Sequence, residues 1–140
     1  MPLGSAITSE DSGILQFMLN VFEPMLEGMG PTTFTLIFIL GSALLTQVAH
    51  NLVLGGLLTS IMCVFCLQVG ADPLLVALLL NLALEVALCT PAGSATSAVL
   101  FSNTEWLPTK SCYKYTATIF VINMIVIFTL GLPIGSILLG

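Results

Sequence analysis

Two polar stretches of this sequence hold side chains that could bind an ion or a small anion. The first is Thr46-Gln47-Val48-Ala49-His50-Asn51, which joins a hydroxyl, two carboxamides and the single histidine. The second is Pro91-Ala92-Gly93-Ser94-Ala95-Thr96-Ser97, a run of small residues of which Ser94, Thr96 and Ser97 carry hydroxyls. Hydroxyls and unpaired backbone carbonyls ligate a hard cation, and helix N-termini with their amides face an anionic group. Glu85 and His50 are the titratable groups placed to couple such a site to protons. Glu85, with Asn81 one turn before it, also fits a structural carboxyl hydrogen-bonded to a partner helix. His50 equally fits a cap for the helix that follows it. Cys63-Val64-Phe65-Cys66 has the spacing of redox and zinc motifs, but there is no second ligand pair and only one histidine, so these cysteines read as packing residues. No nucleophile–base pair or metal-ligand cluster stands out, and no enzymatic activity is expected.

The elements that must position these residues are set by composition. Charged residues make up 6% of the chain and apolar residues 57%, with a mean hydropathy of +1.13. Soluble domains carry about 25% charged residues, so an integral, all-α membrane protein is expected. The net charge of −5 is spread over ends and loops, without a basic patch for nucleic acid. No basic stretch precedes Glu10 and Asp11, so no signal peptide is expected.

From Gly28 to Ala71 there is no Asp, Glu, Lys or Arg. As one helix this run would reach about 66 Å, against a bilayer core of ~30 Å. The chain must turn or break, and the polar cluster at 46–51 is the natural place. Its two short apolar arms suit a re-entrant hairpin over 31–70, with one long tilted span broken at 46–51 as the alternative. Gly41-Ser42 and Gly55-Gly56 would let the arms approach closely. After the turn at Asp72-Pro73, a discontinuous transmembrane helix over 73–102 runs to Thr90 and unwinds at Pro91–Ser97. A polar loop over 103–114 holds Lys110 and Lys114, and 115–139 forms the last span, kinked near Gly131-Leu132-Pro133. Trp106, Tyr113 and Tyr115 flank the loop as interfacial aromatics do, and the two lysines place it in the cytoplasm. Residues 1–30 form a polar N-terminal loop and an amphipathic helix, kinked at Pro24, that lies along the interface. A multi-pass protein of the cell membrane follows, with 31–140 as its membrane domain.

On these two motifs the sequence resembles the divalent anion–sodium symporter family, carriers of di- and tricarboxylates such as succinate and citrate. Thr46-Gln47-Val48-Ala49-His50-Asn51-Leu52 is similar to the family's hairpin-tip motif T-x-x-x-S-N-T. Pro91–Ser97 stands where the family has P-x-x-T-P-x-N. The resemblance runs from about Phe34 to the C-terminus and covers the second of the family's two inverted repeats. It implies the C-terminal half of a larger carrier, one that dimerises when complete and whose first repeat lies elsewhere. It implies a coupling sodium held by Thr46, Ala49, Asn51 and Gly93, and no other cofactor. A small anionic substrate would meet His50, Asn51, Leu52, Ser94, Thr96 and Ser97. His50 stands for a serine of the motif, Leu52 for a threonine, Ala95 for a proline and Ser97 for an asparagine. These departures, with the missing repeat, leave a second expectation: a non-transporting membrane subunit that packs against a partner half. A small channel is disfavoured, because no ring-forming amphipathic span is visible.

Overall fold

The computed structural model describes residues 28–103 and 105–139. Except for Gly28, the expected interfacial helix lies outside them. The described residues form five helices and no strand: α1 Pro31–Leu45, α2 Asn51–Val69, α3 Pro73–Leu84, α4 Ala95–Ser102 and α5 Thr109–Leu139. α2 (mean hydropathy 2.2) and α5 (mean hydropathy 2.3) are long and apolar enough to cross a membrane. At ~1.5 Å per residue α1 and α3 reach only about 22 and 18 Å.

Local chemistry sets the boundaries. α1 starts with Pro31 in its first turn, where the missing N–H costs nothing. α2 ends at Gly70, whose φ of 69° suits a residue without a Cβ, and the Gly70 N–H donates to the Cys66 carbonyl. Asp72 caps α3 by accepting from the N–H groups of Leu74 (2.8 Å) and Leu75 (3.4 Å).

Three details differ from the expectation. α3 ends at Leu84 rather than Thr90, so Glu85 is its C-cap residue and not a group inside the helix. Beyond it, Gln47, Ser94 and Ser97 capture backbone groups of residues 86–90 that a continuing helix would pair internally. α5 begins at Thr109, directly after Pro108, so Lys110 and Lys114 lie on its first turns rather than in a loop. Nothing from Thr109 to Lys114 breaks a helix, and the amides of Ser111 and Cys112 close the first turn onto the Pro108 carbonyl. Finally, Gly41 and Gly56 face open space, so these glycines do not bring α1 and α2 together. Successive helix residues point about 100° apart; Gly55 therefore meets α3, where a Cβ would lie 3.2 Å from Leu84 Cδ1, while Gly56 turns outward.

α3 is the centre of the packing. Its Val76, Leu79, Leu80, Ala83 and Leu84 are buried in one cluster with Phe34, Ile39 and Ala43 of α1, Ile61, Met62, Phe65 and Cys66 of α2, and Met124 and Ile127 of α5. Cys66 thus packs as a core residue, while Cys63 is exposed. The kink expected near Pro133 is a π-turn over Ile127–Gly131. Pro133 would crowd the carbonyl one turn earlier, and the extra residue of a π-turn absorbs that mismatch. Gly131 then approaches α3 so closely that a Cβ would lie 3.1 Å from Leu79 Cδ2. The outer faces are apolar: Leu44, Leu45, Val48, Leu52, Val53, Leu67 and Ile137 are all exposed.

Candidate functional site: the junction of two helix breaks

The break between α1 and α2 and the break between α3 and α4 meet. The Asn51 N–H donates to the Gly93 carbonyl at 2.9 Å, and the Thr90 hydroxyl donates to the Gln47 carbonyl. Each break presents the C-terminal end of one helix and the N-terminal end of the next. One junction therefore gathers carbonyls of negative partial charge and N–H groups of positive partial charge. Thr46 is fully buried here. A Cβ on Gly93 would lie 2.9 Å from the Thr46 carbonyl oxygen and 2.8 Å from that of Ala87, so the two strands of backbone touch directly.

The residues singled out from the sequence fall into three groups. Thr46, Asn51, Gly93 and Ser94 come together at the junction. The Ser94 hydroxyl donates to the Ala87 carbonyl (2.9 Å) and accepts from the Ser97 N–H (3.1 Å), so it caps α4. Ser97 is buried, with its hydroxyl on the Leu88 carbonyl (3.1 Å) and on that of Thr90. The Thr46 hydroxyl donates to Ala43 (2.9 Å) within its own turn. These three hydroxyls are thus engaged inside the fold. Ala49, His50, Leu52 and Thr96 form the second group and are exposed around the junction. Asn51 is half-buried between them, and its carboxamide makes no hydrogen bond among the described residues. Glu85 stands apart. Its exposed side chain borders a shallow apolar groove on the outer face of α3, lined with Leu74, Leu78, Asn81 and Leu82, and it makes no hydrogen bond with the tip.

His50 acts as a cap: its Nδ1 accepts from the Leu52 N–H at 3.3 Å. The bond is long and exposed, so His50→Ala should lower thermal stability by no more than about 1 kcal/mol. His50→Asn, which keeps a capping acceptor, should recover most of that loss. A larger fall in melting temperature with His50→Asn than with His50→Ala would contradict a capping role.

Gln47 is the residue that sequence reasoning passed over. It was visible as part of the polar cluster but matched no motif position. In the structure it is only 7% exposed, and its carboxamide spans both breaks. The available signal was the cost of the group itself, since a glutamine in an apolar run must find partners for every donor and acceptor.

Compared with known protein families, with curated proteins and with solved structures, the chain matches none.

Proposed function

We propose that this chain is the membrane-embedded half of a secondary carrier that moves small carboxylates or related anions together with sodium. In this reading α1 and α2 form a re-entrant hairpin, and α3 and α4 form a discontinuous membrane helix. The apolar outer faces support placing them in a bilayer, where irregular backbone is tolerated only when protein or water covers it. The observation that carries the proposal is the contact of the two breaks, through the Asn51 N–H and the Gly93 carbonyl at 2.9 Å. A lone break serves as a kink. Two breaks that meet, with helix ends of both polarities, make the arrangement from which carriers build sites for a cation and an anion. Carbonyls around Thr46 and Gly93 would hold the sodium. The Asn51 carboxamide, half-buried beside them, would meet the substrate carboxylate.

The test is uptake of labelled succinate or citrate into proteoliposomes containing the full-length protein, with sodium and pH varied separately. Sodium-dependent accumulation is expected. The inward use of the Thr46, Ser94 and Ser97 hydroxyls favours a second reading, a non-transporting subunit that packs against a partner half. Absence of uptake under every gradient would select it.

Glu85 lies away from the junction, so Glu85→Gln should leave the pH profile of uptake unchanged between about pH 5.5 and 8. A profile flattened by that substitution would place Glu85 on a proton pathway instead.

A further inference from the structure

We propose that Gln47 is a positioning residue that joins the hairpin tip and the unwound segment into one unit, so that both walls of the site move together. The proposal rests on the transport reading above. A carboxamide offers two donors and one acceptor oxygen. Here Nε2 donates to the carbonyls of Ala43 (2.9 Å) and Val86 (3.1 Å), and Oε1 accepts from the Cys89 N–H (3.0 Å). One side chain thereby ties the last turn of α1 to the first and last thirds of the stretch between α3 and Thr90. The same residue's backbone carbonyl accepts from the Thr90 hydroxyl, and four residues on, the Asn51 N–H donates to the Gly93 carbonyl.

Every partner of the carboxamide is backbone. The link therefore depends on the pattern of donors and acceptor at position 47 and on no side chain of the unwound segment. It is buried, so water cannot replace it when it is lost. Leucine fills similar space with no polar group. Ionised glutamate turns acceptors toward the two carbonyls that glutamine donates to, whereas protonated glutamate restores one donor and keeps one acceptor. The substitutions therefore separate the loss of the link from the loss of volume.

Two measurements on the full-length protein test this. In detergent, amide hydrogen exchange over residues 86–93 should accelerate at least about 10-fold in Gln47→Leu, because local opening becomes easier. In proteoliposomes carrying labelled succinate or citrate, the same variant should raise KM and the half-saturating sodium concentration at least about 10-fold, with a smaller effect on kcat. Burial against two carbonyls raises the pKa of a carboxyl, so Gln47→Glu should match Gln47→Leu near about pH 8 and recover toward wild type near about pH 5.5, a response Gln47→Leu lacks. Should Gln47→Leu fail to accumulate, Gln47→Glu at the lower pH carries the comparison. Unchanged exchange in both variants would overturn the link. Faster exchange with wild-type KM and sodium dependence would overturn the positioning role and leave a purely structural residue. A wild-type protein that carries neither anion would sink the transport reading and the positioning role with it, while the exchange data would still report whether the link exists.

Discussion

On the transport reading, Asn51→Ala in the full-length protein should abolish sodium-dependent anion uptake while the protein still reaches the membrane at wild-type levels. The two halves of this expectation have separate structural grounds. Folding is spared because the bond that joins the two breaks uses the Asn51 backbone N–H, donated to Gly93 at 2.9 Å, and alanine keeps that N–H. Position 51 is also the first residue of α2, where alanine is well tolerated. Transport is lost because the carboxamide is a half-buried polar side chain at the junction that the fold leaves without a partner among the described residues. A hydrogen bond to an ion is worth about 1.5–3 kcal/mol, so one lost bond lowers affinity about 10- to 100-fold. Loss of contact to both cation and anion would compound. Wild-type uptake in this variant would refute the assignment of the site. Loss of the protein from the membrane would show instead that the side chain serves folding.

Gly93→Ala should fail in the opposite way, through the fold. The added Cβ would lie 2.8 Å from the Ala87 carbonyl oxygen and 2.9 Å from the Thr46 carbonyl oxygen. Both neighbours are backbone, so neither can swing aside as a side-chain tip would. The clash must open the junction, which stretches the bond from Asn51 to Gly93 and the contacts of Gln47 behind it. Overpacking of this kind costs about 1–3 kcal/mol. A lower melting temperature in detergent is expected, together with uptake near background. Gly56→Ala is the control, because a Cβ there meets nothing within 4 Å and should leave both readouts unchanged. Equal melting temperatures for Gly93→Ala and wild type would show that the backbone contact at Gly93 is not fixed.

These two variants also mark where the sequence was informative. The interruption at 46–51 was legible because a charge-free run from Gly28 to Ala71 is too long for a single span. The second break was legible because Pro91 cannot continue a helix and the residues after it are small. Helix starts at Pro31 and Asp72-Pro73 were equally visible, since caps and prolines act within one turn. The start of the last helix at Thr109 was missed because Thr109–Lys114 is polar, and polarity marks the limit of an apolar span rather than the limit of a helix. The end of α3 at Leu84 was missed for a different reason. The sequence from Glu85 to Thr90 has no breaker, and its backbone is held by the side chains of Ser94, Ser97 and Gln47, the last 39 residues from its partner Val86.

By itself the sequence determined an all-α reading, one apolar span near the C-terminus, and two polar interruptions flanked by apolar segments. Those features depend on composition and on bonds made within a turn. Only the tertiary structure decided that the interruptions touch, that the Gln47 side chain ties them beside the backbone bond from Asn51 to Gly93, and that the Glu85 side chain lies on the outer face of α3. It also showed that Thr46, Ser94 and Ser97 spend their hydroxyls on the fold while Asn51 keeps its carboxamide open. Such outcomes turn on which donor finds which carbonyl across some 40 residues of chain, and no local pattern of residue types encodes that choice.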